Sequence, residues 1–268
     1  MSQFHIARLE DLVSYTIESS SSEDGNFPWS QLLDYQWQFD GGKAIDANAG
    51  EVLLDFGEPR ALNMLCLYNM NIASFGLRAG STTGVSDWAA LGLTATENKF
   101  TNRYNYLADP GDLGAGAFNY RYLKIEWGTQ TPVDGSSQVS IGSAMFSESS
   151  ELLLDNTNWG LSMVTRQRAD QVEKVSGAVQ SIVRGRKLGE LAFTMQKKRQ
   201  ANYFDQVTKY FLAIHRGSFL IIGFNGLLIE GGDNETYCLA GNLLSEPSYA
   251  LRNIAYSDVG SVNIREIG

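Results

Sequence analysis

The chain has 268 residues and a mass of 29.5 kDa, enough for one large domain or two of ordinary size. Its 43% apolar content allows a real core, and 27 glycines beside 13 Phe, 12 Tyr and 5 Trp suit a β protein with tight turns. The net charge of −9 excludes the basic face a nucleic-acid binder needs; no basic-then-apolar leader opens the chain, and no apolar run approaches the ~20 residues of a membrane-spanning helix.

From its start to about Ser147 the chain is rich in Gly, Asn, Asp and aromatics, with little helical periodicity. Glu51 to Phe56 reads as a strand, followed by the turn Gly57-Glu58-Pro59. Ala61 to Asn69 is strongly apolar and is predicted to be a strand buried on both faces. Ser74 to Ala79 alternates, with Phe75 and Leu77 on one face. Tyr120 to Trp127 alternates more cleanly: Tyr120, Tyr122, Lys124 and Glu126 face one way, and Arg121, Leu123, Ile125 and Trp127 the other. After the turn-rich stretch Thr131 to Ser137, a further strand is expected over Val139 to Phe146. The polar run Ser147 to Glu151 marks a boundary between domains 1–147 and 148–268.

The second region holds more Lys and Arg. Ala178 to Val183 and Leu188 to Gln196 are predicted to form a hairpin around Arg184-Gly185-Arg186-Lys187. Phe204, Val207, Phe211 and Ile214 recur at spacings of three and four, which predicts a helix over about 199–215. Strands follow at Ser218 to Ile222, Tyr237 to Leu243, Tyr249 to Asp258 and Ser261 to Ile267, with a hairpin turn over Glu230 to Glu235. The expected fold class is therefore mainly β. A sandwich or jelly roll comes first, and a second sheet covered by one helix comes after it.

Groups for catalysis do not converge. His5 sits in an N-terminal strand and His215 at a helix end, both better read as structural. No HExxH, GxSxG, P-loop or CxxC motif is present. Asp109-Pro110-Gly111-Asp112 pairs two acids around a turn, which plain turn chemistry explains better than a glycosidase or metal site. Asp233 with Glu235 reads the same way. Cys66 and Cys238 sit in apolar runs and read as small core residues. Lys197-Lys198-Arg199 reads as a solvated turn or subunit contact. No catalytic residue and no metal ligand is assigned. Aromatics in polar, loop-like surroundings are more suggestive: Trp29, Tyr35, Trp37, Trp88, Tyr104 and Tyr106. Exposed rings stack on sugar faces, although core packing is the better bet for any single one. Trp29, Tyr35, Trp88 and Tyr104 are the candidate ligand-binding residues.

An ordered set of motifs carries a resemblance. Ser19-Ser20-Ser21-Ser22, Asn26-Phe27-Pro28-Trp29, Leu32-Leu33-Asp34 and Trp37 come first. Leu53-Leu54-Asp55-Phe56-Gly57-Glu58-Pro59 and Leu62 to Asn69 follow, then Phe75 to Ser81 with Trp88, and last Arg121-Tyr122-Leu123-Lys124-Ile125. Over about residues 10–147 this resembles the discoidin-type, galactose-binding-like jelly roll. The resemblance implies recognition of sugars, lipid headgroups or proteins through loops at one end, often beside a structural calcium. Asp34 keeps its place, but Tyr35-Gln36 replace the family's usual Gly and Thr-containing turn. No cofactor is therefore expected, with calcium left open.

The second region resembles, in architecture, the ring domain of phage tail-tube and distal tail proteins. That likeness implies a structural protein of a long-tailed phage, resident in the virion tail and assembled in the host cytoplasm. Its partners would be copies of itself in a ring, expected to be a hexamer, then the tail tube and the tail-tip or hub proteins, and a host surface glycan. Neither sequence-specific nucleic-acid binding nor membrane insertion is implied. Distal tail proteins usually place the ring domain first, whereas this chain places the accessory module first. The alternative is a non-enzymatic carbohydrate-binding protein of a cell-surface or glycan-active system.

Overall fold

The computed structural model describes residues 3–33, 41–98, 103–108, 113–114, 118–148, 151–152, 162–173, 179–198, 216–228, 234–246, 249–251 and 256–266. The fold is mainly β, as expected, and built from antiparallel sheets. The chain divides into two compact units: Met1–Leu154 with Ile221–Cys238, and Asp155–Leu220 with Leu239–Gly268.

In the first unit, β1 (Gln3–Arg8) is followed by a 3-10 turn at Leu9–Asp11 and then by β2 (Thr16–Ser20). A second 3-10 turn, Trp29–Leu33, leads to β3 (Gly42–Lys43) and β4 (Gly50–Arg60). Next come β5 (Met64–Met70), β6 (Ser74–Gly80), β7 (Trp88–Thr94), β8 (Thr96–Asn98) and β9 (Arg103–Ala108). β10 (Tyr120–Trp127), β11 (Ser140–Ile141), β12 (Ser143–Ser147) and β13 (Glu151–Leu152) complete the run.

A five-stranded sheet, β2-β4-β10-β6-β7, and a four-stranded sheet, β12-β5-β9-β8, supply one shared core, with β11 and β3 paired separately. Consecutive β4, β5 and β6 alternate between the two sheets, as in a jelly roll. The strand predicted to be buried on both faces is β5, buried at every position. β6 buries Phe75, Leu77 and Ala79 on one face, and β10 buries Leu123, Ile125 and Trp127, as their alternation requires. Tyr15, Phe56 and Phe146 lock edge to face at centroid distances of 5.3–6.1 Å, and the Tyr15 hydroxyl donates to the Ala144 carbonyl at 2.8 Å.

The turn expected at Gly57-Glu58-Pro59 is a bulge inside β4. Register passes from Tyr122 opposite Asp55 to Tyr120 opposite Arg60, and Gly57 takes φ +79°. A β-carbon is strained there, which is why glycine holds the bend. The extra residues lie in β4 and leave Arg121 unpaired between the two registers, where its guanidinium meets Asp55.

β1 does not join the sandwich. It pairs with β13, His5 opposite Leu152 and Ile6 opposite Glu151. β16 (Phe219–Leu228) lies on its other side, with β17 (Asn234–Leu243) beyond. The sandwich begins and ends at one place, where Leu12 bridges Ser147 and the Ser147 hydroxyl donates to the Asp11 carbonyl at 2.8 Å.

In the second unit, β14 (Ser162–Glu173) pairs with β15 (Val179–Lys198), β15 with β19 (Tyr256–Glu266), and β19 with the end of β17 and with β18 (Tyr249–Leu251). Buried Leu191, Leu239, Leu243, Val262 and Ile264 form its apolar face. The predicted hairpin around Arg184-Gly185-Arg186-Lys187 is corrected. β15 runs straight through it, and the register against β14 slips there, from Lys187 opposite Gln167 to Arg184 opposite Arg168. A glycine amid strand residues marks a bulge as readily as a turn. The strands expected to end at Asp258 and begin at Ser261 are likewise one, β19. The helix expected over 199–215 lies outside the described residues, as does most of the turn over 230–235.

Candidate functional site

A groove of about 550 Å³ opens at the end of the five-stranded sheet where β4 and β6 begin and β2 and β10 end. Four glycines line it, Gly50, Gly76, Gly92 and Gly128, so much of its wall is backbone. Gly76 has a steric reason to be glycine: a β-carbon would stand 3.0 Å from Leu91 Cδ2 and 3.2 Å from Glu126 Cγ. Leu91, 56% exposed, forms an apolar patch on the wall.

The groove's charge comes from one cross-strand row, with Glu51 of β4 opposite Glu126 of β10, and Glu126 opposite Gly76 of β6. Two carboxylates set directly opposite repel. The next row on the same face supplies the compensation. Lys124 Nζ lies 2.8 Å from Glu51 Oε2 and 3.6 Å from Glu126 Oε2, and Arg78 Nε lies 3.0 Å from each Glu126 oxygen. Glu51 and Glu126 are among the groove's lining residues, and Lys124 and Arg78 are not.

Hydrogen bonds hold the rim. Ser21 N–H donates to the Glu51 carbonyl at 3.1 Å, and Glu51 N–H donates to Ser21 Oγ at 2.8 Å. Gln130 accepts from Ser74 N–H at 3.3 Å and donates to the Ser74 carbonyl at 2.7 Å. Ala49 N–H donates to Thr129 Oγ1 at 3.2 Å. The groove is therefore preformed by strand ends and paired loops.

Behind these loops lies a buried polar network. The Asn71 amide, 1% exposed, donates to the Gln138 carbonyl at 2.7 Å and to Ser136 Oγ at 3.1 Å, while Asn71 Oδ1 accepts from Ser140 N–H at 2.8 Å. Arg103 reaches Asp134 Oδ2 at 2.8 Å and Ser140 Oγ at 2.8 Å. Burial pushes the Asp134 carboxyl up, but the Ser136 backbone and hydroxyl, the Arg103 charge and Asn71 outweigh it and hold the group below its ordinary 3.8. Nearby, burial pushes the Tyr106 phenol up to about 12.

The aromatic candidates fall elsewhere. Trp29 is wholly buried, 5.5 Å from Trp127, and its indole N–H donates to the Ser22 carbonyl at 2.6 Å; its ring has no face for a ligand. Trp88 is buried edge-on to Phe118 at 5.8 Å. Tyr104, half-buried in β9, packs against the core. Tyr35 and Trp37 lie outside the described residues, as do Asp34, Asp109, Asp112 and His215. Polar neighbours in sequence do not mark a ring as exposed: Trp29, in a 3-10 turn between polar stretches, turns its ring into the core. Glu51, Gly76, Leu91 and Glu126, which line the groove, are not among the sequence candidates. Their one signal was the outward phase of the alternating strands. Among the described residues, no group of three or more His, Cys, Asp or Glu is placed to hold a metal ion, and no helix is long and apolar enough to cross a membrane.

No family model matches the chain, and no curated protein matches it. Among solved structures it is similar to reduced XRCC1 bound to the DNA polymerase β catalytic domain, at 16% identity and a TM-score of 0.40, covering 50% of this chain and 97% of that one. It is also similar to the lectin domain of lectinolysin complexed with Lewis B antigen, at 12% identity and a TM-score of 0.38, covering 51% and 92%. A third is a fucolectin from striped bass (Morone saxatilis) serum, at 9% identity and a TM-score of 0.37, covering 95% and 90%. Likenesses this loose assign neither a ligand nor a partner to this chain.

Proposed function

We propose that the chain is a non-enzymatic recognition protein whose sandwich binds carbohydrate at the end bearing the groove. The observation that carries this reading is the groove itself. It is preformed, lined by backbone, two carboxylates and an apolar patch, and framed by loops tied to one another. Such a surface matches a ligand with many hydroxyls and weakly apolar ring faces. The test is a glycan array probed with the full chain. Specific retention on one glycan class is expected, and a blank array at micromolar protein sinks the reading.

A second reading concerns what carries the sandwich. Its two ends meet at Leu12 and Ser147, and the strands just outside them, β1 and β13, pair beside β16. We read the sandwich as a module inserted after β1, the first strand of this sheet. Among the described residues β14, twelve residues long, ends the strand order, and we read its outer edge as a surface for another chain. These features favour a ring-forming component of a phage tail tip, with the sandwich directed at a partner protein or host glycan. Mass photometry of the full chain tests it: closed rings are expected, and a monomer at all concentrations sinks the ring.

A further inference from the structure

We infer that β7 is the edge on which a second copy of this chain docks, the two β7 strands pairing antiparallel so that two five-stranded sheets become one. β7 ends the order of its sheet, and among the described residues no strand pairs with its other side. An edge strand directs alternate N–H and C=O groups outward, and native proteins guard such an edge with charge, shortness or a cover. The other edges of the sandwich are guarded in these ways. β2 carries exposed Glu18, and β8 is three residues long and carries exposed Glu97. β12 is covered: Val13 N–H donates to the Phe146 carbonyl at 2.8 Å, and the Tyr15 hydroxyl donates to the Ala144 carbonyl at 2.8 Å. β7 has seven residues, and none is charged. Trp88, Ala90 and Leu93 pack on the core, which leaves Ala89 and Leu91 exposed.

This composition names the partner. Antiparallel pairing about a two-fold axis sets a strand against itself, so any charge it carries lies near its own kind. Glu18 would impose that conflict on β2, whereas β7 has none. An uncharged strand also offers nothing to orient a charged partner. The register slip against β6 and the φ of +67° at Gly92 limit the seam to Trp88–Leu91, where Ala89 and Ala90 are small enough for close approach. A seam this short gives a weak dimer. The two-fold of such a pair stands perpendicular to the sheet, so both copies turn the same face outward. Leu91 and Gly92 also line the groove, so the dimer sets two grooves on one continuous face. The pairing stands whether or not those grooves bind sugar.

The experiment is sedimentation velocity with hydrogen exchange on the full chain over a concentration series. Sedimentation should shift toward larger species as concentration rises. Amides of β7 should gain protection in step, while those of β2, the opposite edge of the same sheet, stay as they were. Each copy carries a net charge of −9, so added salt should tighten the pairing by screening repulsion. Leu91→Lys and Ala89→Lys, both at exposed positions, put like charges at the seam. Each should weaken pairing about tenfold or more with a thermal midpoint close to wild type, and either serves alone should the other unfold. Equal protection of β2, or pairing that salt weakens, overturns the inference. Association that protects β14 but not β7 and withstands both variants overturns it while leaving the ring reading intact. A chain that stays monomeric at every concentration overturns both.

Discussion

Arg121 closes a two-pronged ion pair on Asp55 across the seam of β10 and β4, Nε 2.8 Å from Oδ1 and Nη2 2.7 Å from Oδ2. Asp55 is 8% exposed and also accepts the Gly57 N–H at 2.7 Å, so one carboxylate holds both the cation and the bulge that delivers it. The Arg121 guanidinium further lies 4.9 Å from the Tyr122 ring centroid.

This pair predicts an acid-sensitive seam. The Arg121 hydrogen bonds, then the Gly57 N–H, hold the Asp55 carboxyl below its ordinary 3.8 against the opposing effect of burial. A carboxyl lowered on folding contributes stability above its unfolded value and loses it as pH falls through the folded value. Urea midpoints should therefore drop below about pH 4, and Asp55→Asn should flatten that drop while costing about 1–2 kcal/mol at neutral pH. An unchanged acid limb in Asp55→Asn removes this account.

Trp29→Ala should act on the fold. Its ring is fully buried against Trp127 and above Gly42, where a β-carbon would stand 2.3 Å from the indole. The expected loss is about 3–5 kcal/mol, read by chemical denaturation. A folded Trp29→Ala protein of wild-type stability that had lost only ligand binding would show the ring to be a stacking platform after all.

Asn71→Ala should loosen the loop it holds. The substitution leaves the Gln138 carbonyl and Ser140 N–H without the buried amide, a cost of about 2 kcal/mol. Hydrogen exchange should rise across 131–140 before it rises in β10. Uniform protection would place the loop's anchorage elsewhere.

Val85 separates two opposing effects. Its φ of +41° strains a β-branched residue, while its side chain, 2% exposed, packs with Leu53 and Tyr122 on the outer face of the sheet. Relief of strain by Val85→Gly gains about 1 kcal/mol, and loss of the buried side chain costs about 1.5–3 kcal/mol. The net change should be destabilising, read as a lower thermal midpoint. A rise would mean that strain dominates.

The sequence by itself determined the β class, the doubly buried β5 and the phases of β6 and β10, because burial imposes a period of two on any strand between core and water. It carried no mark separating a bulge from a turn at Gly57 or Gly185, since glycine suits both. Only the tertiary structure decided that Arg121 turns to Asp55, that the Trp29 ring faces inward, and that Glu51, Gly76 and Glu126 form one row. Those relations depend on pairing between strands far apart in the chain, and local pattern has no term for register. For the same reason β1 left no sign that it pairs with β13 across the whole sandwich, a contact that exists only once the intervening residues have folded.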